Sequence, residues 1–450
     1  MPDDSPTTRA PGKTVYFLGA GFSAAAGIPT MPHFVTESFR LLKRYGSESL
    51  TNEFAKIVTK YRHVAASTGI DIDDIQELFS LVSGSHPKQQ QPPNENKSKC
   101  LRAVIAHTLC FAHLEDQRRI DKKKNPEPET DESFIKKEQL TKDNRCTFID
   151  YWDRRDNRSS EDMWSRRTVP WRHVFPTNKD AAGNVIRKMN PFGDLLNCCV
   201  YEAFLSYVLH RSRIIEEGSK GRAYQDIIIT PNYDMVIEEA LKSLKSLKHP
   251  CKIDYGEVVE HISNQGDTNL PRLKLVKLHG SLNWLTLENA KIWQEWLPLD
   301  DDRLFNADDA KNAGGKFIEK YGDLPLIPPT WQRHGANGGD SNDDLFDKLR
   351  VEALEQIQTA ERIVIIGYSM PKTDLHIKYL MAHALIPPDY PAIEIWDIKP
   401  YAEMKDAIET MFGKTLAKDI KYHPDKDSIP ETSKGLTGFV RSHSYSPKPS

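Results

Sequence analysis

Apolar residues gather along this chain in two kinds of pattern. Short apolar-rich runs occur at 14–18, 227–230, 273–278, 363–366 and 393–396, interrupted inside by Lys274, Lys277 and Glu394. Runs this rich in apolar residues predict strands buried on both faces of a parallel sheet. Between them the spacing shifts to the helical period. Helices are predicted at 34–44, 50–61, 73–82 (Ile75, Leu78, Phe79 and Val82 on one face) and 99–117, and another carries Leu196, Val200, Ala203, Phe204 and Val208. Strands alternating with helices imply an α/β fold, a Rossmann-like parallel sheet with helices on both faces and a ligand at the carboxyl ends of its strands. Residues 13–35 and 222–425 would form the sheet domain, and 36–221 a large, mainly helical insertion. Polar low-complexity loops are expected at 84–99 and 121–145, and flexible ends at 1–12 and 426–450.

The first run leads into Gly19-Ala20-Gly21-Phe22-Ser23-Ala24-Ala25-Ala26-Gly27-Ile28-Pro29. Gly19-x-Gly21-x-x-Ala24 fits the dinucleotide fingerprint, whose glycines allow a tight turn and a close approach of a pyrophosphate to amides at a helix start. Alone the pattern is weak, since a Gly-rich turn that only joins a strand to a helix is spelled the same way. A dehydrogenase would reach a second strand ending in an acid about 20 residues later. Here the chain enters helical pattern instead, which argues against hydride transfer.

Composition narrows the class. The 450 residues carry a net charge of -3, so no global field attracts nucleic acid. Hydrophobic residues are 38%, charged residues 28%, and the mean hydropathy is -0.58, the balance of a soluble globular protein. No apolar run reaches the length of a membrane span, and Met1-Pro2-Asp3-Asp4 does not open a signal peptide, so a cytoplasmic protein without a membrane partner is expected. The six cysteines form no C-x-x-C pair, which predicts buried thiols and no metal. Residues 146–190 interleave Trp152, Trp164 and Trp171 with Arg154, Arg155, Arg158, Arg166, Arg167 and Arg172. That mixture suits base stacking or a protein interface. Asp150, Asp153, Asp156, Glu161 and Asp162 neutralise much of it, which places the interface ahead of direct nucleic-acid binding.

Every predicted strand ends in polar or Gly-rich residues. After the opening turn come Thr230-Pro231-Asn232-Tyr233-Asp234, His279-Gly280-Ser281, Gly367-Tyr368-Ser369 and Asp397-Ile398-Lys399-Pro400. A lone His is more often structural and a lone Asn a turn former. Five coincident strand ends weaken that reading.

These motifs, with Lys277-Leu278 before His279, Gly27-Ile28-Pro29, Asp374 and 326–331, resemble the sirtuin family and more closely its bacterial antiphage-defence branch of NAD-cleaving effectors. The likeness covers about 13–35 and 222–416. It implies NAD as substrate, with Asn232 and His279 as catalytic residues. It implies a binding set of Gly19, Ala20, Gly21, Ser23, Pro29, Thr230, Asp234, Gly367, Tyr368, Ser369, Asp374 and Asp397. Tyr368 and Asp397 depart from the wider family's Thr and Asn. The two C-x-x-C pairs of protein deacylases are missing, which favours hydrolysis over deacylation. His279 would take a proton and Asn232 would orient ribose and water. Asp234 would stabilise charge or cap the next helix, the cap being slightly ahead. The resemblance also implies a homo-oligomer that acts alone or with a partner such as a HerA-family ATPase or an Argonaute-type protein, and nothing in the sequence selects among these. Two rivals remain: a deacylase or ADP-ribosyltransferase, and a non-catalytic NAD or ADP-ribose sensor.

Overall fold

The computed structural model describes residues 12–26, 28–46, 48–83, 95–124, 178–179, 185–186, 200–201, 204–205, 207–209, 223–245, 251–256, 260–261, 272–287, 290–293, 322, 324–326, 341–371, 374–385, 390–423 and 435–443. The stretch 125–177, with all the Trp and Arg residues singled out above, lies outside them, as do Gly27 and 327–331.

Seven parallel strands form one sheet. In chain order they are β1 (Thr14–Leu18), β4 (Ala223–Thr230), β5 (Lys252–Asp254), β7 (Arg272–Lys277), β10 (Arg362–Ile366), β11 (Ala392–Trp396) and β12 (Lys421–His423). Their spatial order is β12-β11-β10-β1-β4-β7-β5, and every neighbouring pair is parallel. Two short ribbons lie apart from it, β2 (Asn178–Lys179) with β3 (Val185–Ile186), and β6 (Glu260–His261) with β8 (Trp284–Leu287) and β9 (Ala290–Trp293). On one side of β1 the chain forms β4, then the edge strand β5, then β7 between them; on the other it winds outward through β10, β11 and β12. The reversal between β1 and β10 is the switch point of a Rossmann-like fold.

Every residue of β1 is buried, as a strand covered on both sides requires. On one face Tyr16 meets Phe204 at 5.5 Å and Phe439 at 6.0 Å between ring centroids. On the other, Phe17 meets Tyr368 at 5.0 Å. The helices that follow β1 are α1 (Ala20–Ser23), α2 (Phe34–Tyr45), α3 (Glu48–Thr68), α4 (Ile75–Ser83) and α5 (Glu95–Lys124). Helices α2, α3 and α4 all pack against α5, and their apolar faces belong to the same buried core as the sheet. Helical residues at 200–201, 204–205 and 207–209 then return to the sheet.

Later helices are α6 (Val236–Lys245), α7 (Ser341–Gln358), α8 (Leu375–Ala384), α9 (Tyr401–Leu416) and α10 (Gly435–His443). Helix α10 corrects the expectation of a flexible end at 426–450. Leu436, Phe439 and Val440 recur at helical spacing and are buried, with Phe439 packed on Tyr16, Phe204, Tyr207 and Trp396. The expected loops at 121–145 and 84–99 are helical where described, because α5 spans Glu95–Lys124; the rest of both lies outside the described residues. Cys100 and Cys251 are buried free thiols.

Candidate active site at the carboxyl edge

The turn after β1 and the turn after β10 cross at the switch point. The Gly19 amide donates to the Ile366 carbonyl at 3.0 Å, the Gly21 amide to Gly367 at 2.7 Å, and the Phe22 amide back to Gly19 at 3.0 Å. A Cβ on Gly19 would lie 2.5 Å from the Gly367 oxygen, and one on Gly367, where φ is +62°, 2.3 Å from the Phe22 nitrogen. The glycines are therefore required by a backbone crossing, and three turn amides are already used inside the protein. Helix α1 is a single turn followed by a 3-10 turn at Ala24–Ala26. Gly21, Ala24 and Ser369 are exposed at this crossing, Ala20, Pro29 and Gly367 are half-buried, and Gly19, Ser23 and Tyr368 are buried.

Beside the crossing, the loop after β4 is tied to the same turn. Thr230 Oγ1 donates to Leu18 O at 2.7 Å and accepts the Asn232 amide at 3.0 Å. Asn232 Nδ2 donates to Gly19 O at 2.9 Å and to Ser23 Oγ at 3.1 Å. Ser23 pairs in turn with the Asp234 carboxylate. Asp234 Oδ1 accepts the amide of Val236, which opens α6, at 3.0 Å, in an Asx turn that leads into the helix. Burial pushes the Asp234 carboxyl up, opposed by Lys277, the Ser23 hydroxyl and the Val236 amide.

The loop after β7 lies against it. The Leu278 amide donates to Thr230 O at 2.9 Å and the Leu282 amide to Tyr233 O at 3.2 Å. His279 is 3% exposed and its ring centroid is 6.0 Å from that of Tyr233. Burial lowers its pKa to about 3, helped by His376 when that ring is protonated and by Arg350, and only the Pro231 carbonyl pulls the other way. The imidazole is thus neutral at pH 7, with Nδ1 buried and without a partner among the described residues. His376, on α8, is lowered to about 4 by burial and by Arg350. Gly280 has φ of +94°, and a Cβ there would lie 1.9 Å from Pro325 O, so the 324–326 segment covers this turn closely.

Two carboxylates complete the edge. The Tyr368 hydroxyl donates to Asp374 Oδ2 at 2.7 Å. Asp374 Oδ1 is buried without a partner among the described residues, and burial raises the carboxyl to about 6 despite the phenol. Between them Met370 has φ of +53°, the one non-glycine residue in the left-handed region among those described. Asp397 sits at the end of β11, where its Oδ1 accepts the Lys399 amide at 2.9 Å in a local turn, and burial raises its pKa.

The candidate residues in the turns after β1, β4, β7, β10 and β11 thus leave the carboxyl edge of one sheet, whereas Gly27, 327–331 and the Trp and Arg residues of 146–190 lie outside the described residues. Asn232, Ser23, Thr230 and Asp234 are joined by hydrogen bonds, whereas Asp397 stands two strands away from β1. Five residues near the site escaped sequence reasoning: Asp74 at the start of α4, which acts electrostatically on Tyr233, Glu238, Tyr255, Arg350 and His376. Among the described residues no group of three or more His, Cys, Asp or Glu side chains is arranged to hold a metal ion, and no helix is long and apolar enough to cross a membrane.

No family model matches the sequence. No curated relative matches it either. A solved structure described as the structural basis for the mechanism and regulation of Sir2 enzymes aligns at 12% identity over 96% of this chain and 93% of that one, with a TM-score of 0.31. The Rossmann-like assignment rests on the strand order itself.

Proposed function

We propose that this chain hydrolyses NAD to nicotinamide and ADP-ribose. One observation carries the reading: the Asn232 loop and the buried, neutral His279 leave adjacent strands beside the glycine crossing at the switch point, where a doubly wound sheet receives its ligand. The dinucleotide's diphosphate would lie over Gly21 and Ala24, which have no side chain to exclude it. Its nicotinamide ribose would lie toward Asn232.

The bond that breaks joins the nicotinamide nitrogen to C1′ of the ribose. The electron pair leaves with nicotinamide, the ribose gains oxocarbenium character, water forms the new bond to C1′, and one proton is released. His279 supplies an uncharged imidazole, which accepts a hydrogen bond from a ribose hydroxyl or water without adding positive charge beside a developing cation. Asn232 contributes position, since its amide is held by Gly19 and Ser23. Asp374 and Asp397 would place negative charge and hydroxyl acceptors along the same edge.

The motif resemblance extends the proposal to a role: depletion of cellular NAD in antiphage defence, with the insertion at 36–221 as the regulatory or oligomer-forming part. The test is product analysis with NAD as the sole substrate in 18O-labelled water. The reading predicts free nicotinamide and ADP-ribose carrying one label at C1′. Products that form only when an acyl-lysine peptide or an acceptor protein is added would overturn it in favour of a transferase or deacylase.

A further inference from the structure

Lys277 is the last residue of β7 and is 1% exposed. Its Nζ donates to Glu238 Oε1 at 2.8 Å, to Ser281 Oγ at 2.7 Å and to the backbone carbonyl of Asp234. An ammonium has three hydrogens, and here all three are used. The acceptors belong to three different pieces: the end of the Asn232 loop, the first turns of α6, and the end of the His279 loop. Glu238 is fixed from the other side by the Tyr255 hydroxyl at 2.7 Å, which itself accepts from Asn283 Nδ2 at 3.0 Å. Beside this network, among Ser23, Thr230, Asn232, Asp234, Glu238 and Lys277, lies a cavity of about 10 Å³, the space of one water.

A buried ion pair is a poor source of stability, because desolvation offsets its attraction and an apolar pair of similar volume does as well or better. Its benefit lies in register. We propose that Lys277 is a positioning residue: a buried clamp that sets the distance between the Asn232 loop and the His279 loop, so that the two side chains act on one substrate. Backbone hydrogen bonds already join the loops at Leu278 and Leu282. The ammonium adds a fixed centre behind them that neither Met nor the larger, planar Arg reproduces.

The clamp presumes the hydrolase reading in its catalytic consequence and stands without it in its structural one, so the test has two arms. Lys277→Met strands Glu238 and is at risk of misfolding; Ser281→Ala keeps the ion pair and removes one arm of the clamp. In the first arm, amide hydrogen exchange is compared between the full-length wild type and Ser281→Ala without substrate. The clamp predicts about tenfold faster exchange at 232–235 and 278–283 with 362–366 unchanged. Unchanged exchange at both loops overturns it, whatever the protein does to NAD. In the second, NAD cleavage is measured: kcat falls about tenfold with KM within about twofold, and Ser281→Thr, which restores the hydroxyl, recovers the rate. A raised KM with kcat intact overturns the positioning role. A wild type without turnover counts against the hydrolase alone, and the exchange arm still decides the clamp.

Discussion

A methyl group at Gly367 would meet the Phe22 nitrogen at 2.3 Å, from a backbone held at φ of +62°. Gly367→Ala is therefore expected to destabilise the fold by more than about 2 kcal/mol, from strain and from the displaced crossing together. Denaturant titration checks it; a change under about 0.5 kcal/mol would show that the two turns do not cross this tightly. The positions of these glycines were legible in the sequence, but their reason was not. The fingerprint explains them by a phosphate, whereas the first demand on Gly19 and Gly367 is the other turn. Spelling cannot separate the two because both require bare backbone. Asp374 gives a second prediction at this scale. Its carboxyl is raised from 3.8 to about 6 by burial, so the fold binds the proton more tightly than the unfolded chain does. The contribution favours stability in acid and is lost as pH rises through 6, a penalty on the order of 3 kcal/mol at neutral pH. Asp374→Asn should raise the melting temperature at pH 8 and change it little at pH 4. His376 works in the opposite sense: with a folded pKa near 4 against 6.5, its stabilisation is full above pH 6.5 and is lost as pH falls toward 4. His376→Asn should flatten that acid limb of the stability profile.

At the scale of elements, the strands of the sheet's centre were readable because each is a short apolar-rich run that stops at a polar turn. The first, 14–18, coincides with the observed strand, and the others differ at their ends by a few residues. Strands β5 and β12 have three residues each, too few to show a period. Helix α10 went unread for a different reason: its apolar stripe of Leu436, Phe439 and Val440 is followed by a polar end that dominates the composition. Packing decides there. Phe439 is fully buried among four aromatic neighbours, so Phe439→Ala should cost about 3–5 kcal/mol, as large-to-small changes in a core do. A thermal melt within about 2 °C of wild type would mean that the C-terminal helix does not seal the sheet.

Across the whole molecule, a small set of strand-end loops carries the candidate site at one edge of the sheet. The insertion reaches it at Tyr233, whose hydroxyl is raised by burial, by Asp374 and by Asp74 at the start of α4, and the buried Lys277 network supports the same loops from behind. The residues that belong to this edge could be named from motif order because Asn, His and Gly are unusual at the ends of apolar strands. The supporting groups could not, since Glu238, Tyr255 and His376 sit on helices and loops whose approach depends on tertiary packing. The central claim is that Asn232 and His279 act together on NAD. The measurement that tests it most directly is nicotinamide release from NAD by the purified full-length protein beside Asn232→Ala and His279→Ala. The account predicts release by the wild type and a fall of at least about a hundredfold in each variant, the scale of a lost acid–base or positioning group. Full release by either variant would contradict it.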